Sequence, residues 1–408
     1  MPKHDILNLL KVLAPTILKI LSGIFVVKLY AQVLGVDNFY KMSQLQNVVA
    51  VIFGFSFLNT ASGILSSVGQ AAGNDQKIRN FFLKFSISSL ILTSAIVIFY
   101  SAFIQSIPTD LLLFILLIII SIPFYTLSGV EQNILIGTKQ INKYLVWGLL
   151  SPLITFLMVV LFLYILGVNG VYYSIILTPA LSGLLLFLIN NKEIKKCSID
   201  SRPLDLVLIK NILKFGYLGS FSILVIPLSL FAVRDVIVGQ YGEDVASIWD
   251  AAFRVSLLFN LFLATCFSNY LVPIISNKTN AEALRNSISI IKLILVCWIV
   301  YFLIVKLFGD WVLFLLYDES FLSALDFLQI NIYADLLKIM ISAVIWYNVS
   351  RRRIVVNMLL EIIFFACLLF LIQSNYVKLE FCYLFATIAQ SCFLAVYYGC
   401  LKCLNLRN

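Results

Sequence analysis

Long apolar runs, separated by short polar stretches, make up nearly the whole chain of 408 residues. A helix needs about 20 mostly apolar residues to cross the hydrocarbon core of a bilayer. Twelve runs satisfy this requirement, near residues 8–34, 38–66, 82–105, 110–137, 141–167, 169–191, 211–239, 245–274, 286–308, 323–349, 353–373 and 378–402. The pattern predicts an all-α, polytopic membrane protein with about 12 transmembrane helices.

The longest polar connection, residues 190–210, falls at mid-chain and predicts two halves. We expect an N-terminal six-helix lobe at 1–195, a cytoplasmic linker at 196–210 and a C-terminal six-helix lobe at 211–408. Lys28 and Arg234 are 206 positions apart, as are Arg79 and Arg285. This faint repeat favours halves of the same orientation, such as those that enclose a central substrate path in many transporters.

Composition excludes a water-soluble globule. Hydrophobic residues form 62% of the chain and charged residues 12%, whereas soluble proteins have roughly 45–50% and about 25%. The net charge of +9 is typical of basic cytoplasmic loops in a polytopic protein and does not indicate a nucleic-acid partner. With both termini on one side, nineteen Lys and Arg lie on that side and two, Lys41 and Lys378, on the other. This asymmetry predicts that both termini are cytoplasmic.

Residues 309–321 are too short and too charged at their ends to span, so we expect a short helix along the outer surface. Several enzyme and cofactor classes are excluded by sequence. The only histidine is His4, the cysteines lie almost entirely in apolar runs, and Cys400 and Cys403 have no second Cys/His pair for zinc. The chain contains no GxxxxGK[ST], HExxH or GxSxG motif. We expect a transporter without metal or cofactor rather than an enzyme.

Ionisable residues within the predicted spans are costly and point to function. The cations are Lys11, Lys19, Lys28, Arg234, Arg254, Lys292, Lys306 and Lys338. The acids are Glu131, Asp235, Asp250, Asp335 and Glu361. Lys11, Lys292 and Lys306 lie near helix ends, where long side chains extend to the headgroups. The remaining cations outnumber their local partners, which favours a hydrated cationic cavity over purely structural ion pairs.

Two acid–base pairs follow from helical spacing alone. Asp250 and Arg254 are four residues apart, and Asp335 and Lys338 are three apart, so each pair shares a helix face. Either pair could simply hold helices together, or could belong to a cavity that binds an anion. Arg234 lies about one turn from the outer end of the seventh predicted helix.

The sequence resembles the Wzx-type O-antigen flippases, in the polysaccharide-transport branch of the multidrug/oligosaccharidyl-lipid/polysaccharide exporter superfamily. The similarity lies in LKILSGIFVVKLYAQVLG, AVRDVIVGQYGEDVASIWDA, SNYLVPIIS, LFGDWVLFLLYDESF and YADLLK. The resemblance implies two six-helix lobes in a V, with helices one, two, seven and eight lining the cleft. It also implies a substrate of undecaprenyl diphosphate carrying one oligosaccharide repeat. Predicted helices three to six show no clear family pattern.

With the cargo that this resemblance implies, the sequence predicts a flippase that moves an undecaprenyl-diphosphate-linked oligosaccharide, such as an O-antigen unit of lipopolysaccharide, from the cytoplasmic to the periplasmic leaflet of a bacterial inner membrane. Its candidate partners are membrane lipid, an O-antigen polymerase and a chain-length regulator, with H⁺ or Na⁺ as coupling ion. The candidate cargo contacts are Lys19, Lys28, Arg234, Arg254 and Lys338. The candidate coupling or tuning carboxylates are Glu131, Asp235, Asp250, Asp335 and Glu361.

The alternative is a cation-coupled multidrug or small-metabolite antiporter of the same superfamily, in which Glu131 or Asp250 would exchange a cation. The excess of cations argues against it. A polysaccharide polymerase would need a large periplasmic loop with Arg and His, and the sequence has none.

Overall fold

The computed structural model describes residues 3–57, 64, 77–82, 85, 111–138, 140–189, 206–266, 280–350 and 354–405, which are almost entirely helical. Its long helices are α1 (Lys3–Phe57), α2 (Leu111–Gly137), α3 (Ile141–Leu166), α4 (Val168–Ile189), α5 (Leu206–Tyr241), α6 (Glu243–Cys266), α7 (Asn280–Leu316), α8 (Ala324–Ser350), α9 (Ile354–Ser374) and α10 (Leu379–Asn405). A short 3₁₀ helix, Glu319–Phe321, precedes α8. The predicted all-α architecture is confirmed.

The helix α1 contains a break where the sequence predicts its first connection. It runs for 55 residues but leaves helical geometry at Gly35, whose φ is 64° and ψ −176°. A straight helix of that length would measure about 80 Å, far more than the roughly 30 Å core of a bilayer. Glycine tolerates positive φ because it has no Cβ. The break therefore divides α1 into the first two predicted helices.

A second break separates the ninth predicted helix from the short helix expected after it. In α7 the break falls at Phe308, with φ −132° and ψ 22°. The helical turns that follow end at Leu316, and the Asp318 carboxylate then accepts a hydrogen bond from the Glu319 N–H at 2.7 Å. Trp311 is exposed on this short piece. Its position along the outer membrane surface stays a prediction.

Within the described residues, nine helical stretches are long and apolar enough to cross a membrane. They are Leu18–Gly54, Ile115–Gly137, Asn142–Leu166, Val168–Ile189, Leu224–Tyr241, Ile294–Leu316, Ala324–Asn348, Val355–Ser374 and Leu379–Cys400. The first contains the break at Gly35. Most of the predicted helix 82–105 and of the linker 196–210 lies outside the described residues. The count of about 12 spans and the cytoplasmic termini stay predictions.

The chain forms two compact units. Unit 1 consists of Met1–Leu34 and Lys41–Leu228, and unit 2 of Gly35–Tyr40 and Ser229–Asn408. The corner between the two halves of α1 thus groups with unit 2. The lobe boundaries expected from the sequence remain a prediction.

Each unit has its own packing core. In unit 1, α4 packs against both α2 and α3. A Cβ on Gly183 would lie 1.9 Å from the Phe124 carbonyl oxygen, so the two backbones approach as closely as only a small residue permits. In unit 2, α8 packs against α6 and α10, and α9 packs against α10.

Candidate functional site

Three charged side chains of unit 2 form a buried network that we term the arginine cluster: Arg234, Asp250 and Arg254. Arg234 on α5 donates from Nε to Asp250 Oδ1 at 2.7 Å, and its Nη2 bonds the same oxygen. Arg254 donates from Nε to Asp250 Oδ2 at 2.7 Å. The spacing-based prediction of an Asp250–Arg254 pair is confirmed. The participation of Arg234 was not predicted.

The arginine cluster has more positive than negative charge. Two guanidinium groups share one carboxylate, and Asp250 is fully buried. Arg234 is 2% exposed, and its Nη1 has no hydrogen-bond partner in the part of the chain that the structure describes. A buried donor without an acceptor costs about 1–3 kcal/mol. Arg254, whose side chain is 16% exposed, is the more accessible member. The cluster can therefore donate a hydrogen bond to one more oxygen atom, and an anion best matches its positive charge.

A second buried polar group in unit 2 centres on Asp335, and we term it the Asp335 cluster. The carboxylate of Asp335 on α8 is fully buried. It accepts hydrogen bonds from the Tyr301 hydroxyl at 3.3 Å and the Tyr383 hydroxyl at 3.2 Å. The Tyr301 ring stacks on Phe259 with centroids 4.5 Å apart. This cluster supplies a carboxylate within a largely aromatic wall.

Lys338 interacts electrostatically with Asp335, as their spacing suggested, and with Glu361 on α9. Its ammonium donates to Gln390 Oε1 at 2.9 Å and lies 3.5 Å from the centroid of the Phe364 ring. These partners come from α10 and α9, so Lys338 links three helices of unit 2. The i,i+3 spacing placed Lys338 and Asp335 on one helix face, but it gave no indication of the contacts that the ammonium makes with neighbouring helices.

The other candidate residues lie outside the arginine cluster. In unit 1 the side chain of Lys19 is exposed and that of Lys28 is half-buried. In unit 2 Asp235 is exposed although its chain neighbour Arg234 is buried, and Glu361 on α9 is half-buried. From the predicted set, the structure thus brings together Arg234, Asp250 and Arg254, and also Asp335, Lys338 and Glu361, whose charges interact.

Glu131 in unit 1 has a partner, Arg79, that the sequence analysis considered only as part of the faint repeat. Arg79 is buried and bonds both carboxylate oxygens, through Nε to Oε1 and through Nη2 to Oε2 at 3.0 Å. Ile78 and Phe82 pack with Val130 of α2 beside the pair. The predicted topology places both charges toward the cytoplasmic ends of helices three and four. That shared depth was the signal that could have identified the pair.

Comparison with known proteins gives a local sequence match and a match of the whole fold. No protein-family model matches the chain. It is 24% identical over 127 residues to the Lipid III flippases of Escherichia coli (strain K12) and Shigella flexneri. That match covers 31% of this chain and 30% of each relative.

Solved transporter structures match over almost the entire chain. An inward-facing multidrug resistance MATE family transporter of the MOP superfamily superposes with a TM-score of 0.68 and 13% identity, covering 98% of this chain and 99% of its own. A MOP superfamily transporter from Pyrococcus furiosus, described by a binding pocket of reverse polarity, superposes with a TM-score of 0.68 and 13% identity. The match covers 98% of this chain and 96% of that transporter. An outward-facing MATE transporter superposes with a TM-score of 0.66 and 14% identity, and the match covers 98% of this chain and 96% of that transporter.

These findings confirm the predicted class of fold. The chain is a multi-pass membrane protein with the fold of MOP-superfamily transporters. The proteins that it is similar to are transporters and flippases rather than enzymes. Its resemblance to the O-antigen flippases in particular stays a prediction.

Proposed function

We propose that this chain is a flippase for an anionic lipid-linked saccharide, moving an undecaprenyl-diphosphate-linked oligosaccharide from the cytoplasmic to the periplasmic leaflet of a bacterial inner membrane. The local similarity to Lipid III flippases supports a lipid-linked cargo. The cargo's diphosphate and sugars must pass a hydrocarbon core about 30 Å thick. A hydrated cationic path lowers that barrier while the polyprenyl tail stays in lipid.

The observation that carries the proposal is the charge of the arginine cluster. Arg234 and Arg254 share Asp250, and the Nη1 of Arg234 retains an unused donor in the described structure. A guanidinium presents paired N–H donors that match phosphate oxygens, and it stays protonated when buried. We therefore assign the diphosphate to Arg234 and Arg254.

The other candidate residues take supporting roles in this proposal. Lys19 and Lys28, on the first half of α1, would contact the headgroup elsewhere along its path. We assign Lys338 to helix packing, because its ammonium already donates a hydrogen bond to Gln390 and lies against the ring of Phe364. Glu131 is likewise held by Arg79. Membrane lipid, a polymerase and a chain-length regulator remain the proposed partners of an O-antigen pathway.

The Asp335 cluster supports a second candidate function, a cation-coupled antiporter. A buried carboxylate bonded by two phenol hydroxyls can hold a proton or bind a small cation. In the flippase, the same cluster would couple transport to H⁺ or Na⁺. Glu361 and Asp235 would adjust the local charge. The two functions differ in whether the arginine cluster or a carboxylate recognises the cargo.

Variants of the arginine cluster test the proposal in the full-length protein reconstituted in nanodiscs, with undecaprenyl diphosphate as the binding probe. Arg254→Gln should weaken binding about ten- to a hundredfold, equivalent to about 1.5–3 kcal/mol for charge-assisted hydrogen bonds. Asp250→Asn should retain or strengthen binding, because it removes the carboxylate that competes for both guanidinium groups. Arg234→Lys should recover only part of the wild-type affinity.

Export of surface polysaccharide in a deletion strain, with membrane abundance checked, gives the matching cellular readout. Lys306→Ala is the control, because its exposed ammonium contacts Gln329 at 3.4 Å. Normal binding and export by Arg254→Gln, together with lost cation transport in Asp250→Asn or Asp335→Asn, would overturn the flippase in favour of the antiporter.

A further inference from the structure

The corner segment Gly35–Tyr40 seats an aromatic side chain in unit 2. Phe39 is fully buried. Its ring meets Tyr317 edge-on with centroids 5.7 Å apart and Phe321 with centroids 5.1 Å apart. Tyr317 and Phe321 form what we term the Phe39 socket, and their own ring centroids are 5.3 Å apart. The socket is built by the turn that follows α7.

Two hydrogen bonds fix the corner segment to α6. The Tyr40 N–H donates to Ser247 Oγ at 3.0 Å, and the Tyr40 hydroxyl donates to Glu243 Oε1 at 2.8 Å. Glu243 and Ser247 are four residues apart, so both anchors lie on one face of α6. The segment is thus held by polar contacts on one side and by the socket on the other.

The same face of α6 carries the arginine cluster. Asp250 and Arg254 follow Ser247 by three and seven positions, which continues the face along the helix. The Arg254 guanidinium carbon lies 5.4 Å from the centroid of the Phe39 ring. Arg254 is therefore held by the Asp250 carboxylate at Nε and by an aromatic ring from the corner segment. Phe39 contacts both the socket and one proposed ligand of the cargo phosphate.

We propose that Phe39 is a positioning residue for the anion site: its ring orients Arg254 and completes the site only while the corner segment is docked. The inference rests on the proposed function, because it assigns regulation of the same site. A guanidinium held in one orientation loses less freedom when it binds phosphate. By thermodynamic linkage, bound anion must then favour the docked corner segment to the same degree.

Substitutions that separate the ring's charge distribution from its volume test this role in the full-length protein in nanodiscs, with inorganic pyrophosphate and undecaprenyl diphosphate as probes. Phe39→Leu should weaken binding of both about three- to tenfold, because the cation–π contact is lost while most of the volume remains. Phe321→Leu is the matched comparison: it opens the same socket but keeps the ring at position 39, so it should weaken binding less than Phe39→Leu.

A graded series removes the remaining ambiguity. Mono-, di- and trifluorinated phenylalanine at position 39 keep the ring's shape but progressively weaken its negative face, so affinity should fall in steps. If affinity did not change along the fluorinated series, or if Phe39→Leu and Phe321→Leu lost equal affinity, Phe39 would serve packing only and the inference would be overturned.

A spin label on the corner segment reports its docking directly. Asp37 is exposed, so Asp37→Cys can carry the label in a background without native cysteines, since Cys392 and Cys400 are exposed. Pyrophosphate should reduce the label's mobility in the wild-type site and leave it unchanged in Arg254→Gln. A label at the exposed Tyr376, in the turn between α9 and α10, should not respond.

The outcomes distinguish the two proposals. No binding of either probe by the wild-type protein overturns the proposed function, and the inference with it. Binding that depends on Arg254 but not on the ring at position 39 overturns the inference alone. Binding with an unresponsive Asp37 label also overturns it, because linkage requires the anion to stabilise the docked segment.

Discussion

The two units each bury a carboxylate against arginine, but with different charge balance. In unit 1, Arg79 satisfies both oxygens of Glu131, and both side chains are almost completely buried. In unit 2, Asp250 is shared by two arginines, one of which is partly exposed. A pair of one arginine and one carboxylate, in which both carboxylate oxygens are bonded, is suited to joining helices. The unbalanced cluster keeps positive charge and an unused donor, which are the properties that bind an anion.

The largest effect should follow from removing one partner of the Arg79–Glu131 pair. Glu131→Gln removes the carboxylate charge that the buried Arg79 bonds through Nε and Nη2, which should cost about 3–5 kcal/mol of stability. Thermal unfolding in detergent measures the loss. Replacing both partners, Arg79→Met with Glu131→Leu, should restore most of it. Asp250→Asn should also be costly, because it removes the carboxylate that both Nε and Nη2 of the buried Arg234 bond.

The contrary result would change the assignment of unit 1. If Glu131→Gln kept wild-type stability but stopped transport, Glu131 would be a coupling carboxylate, and the two clusters would both be functional.

Close backbone packing in unit 1 gives the next largest effect. Gly183→Ala should destabilise the protein by about 1–3 kcal/mol, because its Cβ would meet the Phe124 carbonyl oxygen. Gly23→Ala is the matched control, since an added Cβ there has nothing within 4 Å. Both variants should bind undecaprenyl diphosphate normally once folded. A specific loss of affinity in Gly183→Ala would mean that unit 1 packing controls the arginine cluster.

A smaller loss of stability should distinguish the Asp335 cluster from the Arg79–Glu131 pair. Tyr383→Phe removes one of the two hydroxyl donors of Asp335 and should lower stability by about 1 kcal/mol, the scale of side-chain hydrogen bonds within membranes. Transport measured against H⁺ and Na⁺ gradients is the functional readout. A change in ion dependence would assign coupling to this cluster; an effect on stability alone would make it structural, as in unit 1.

The smallest effect should come from an exposed cation. Lys306→Ala removes an ammonium that lies 3.4 Å from Gln329 Oε1 and 5.6 Å from the centroid of the Tyr333 ring. Because this cation is solvent-accessible, its loss should cost less than about 0.5 kcal/mol. Binding of undecaprenyl diphosphate should be unchanged. A drop as large as that of Arg254→Gln would show that overall positive charge, rather than the arginine cluster, governs affinity.

Sequence alone determined the features that depend on local order along the chain. Apolar runs of membrane length predict helices because the bilayer leaves backbone groups no other partner. The breaks at Gly35 and Phe308 fall where polar residues interrupt those runs. The pair Asp250–Arg254 followed from four-residue spacing within one helix.

Only the tertiary structure decided which helix faces meet. Arg234 lies 16 residues from Asp250, and Arg79 lies 52 residues from Glu131, so neither pair follows from helical periodicity. Phe39 reaches Arg254 because the chain turns at Gly35 and its corner docks in unit 2. Lys338 donates a hydrogen bond to Gln390 on another helix in addition to its electrostatic interaction with Asp335 on its own helix. In a chain this apolar, many helix rotations bury similar area, and side-chain packing selects among them.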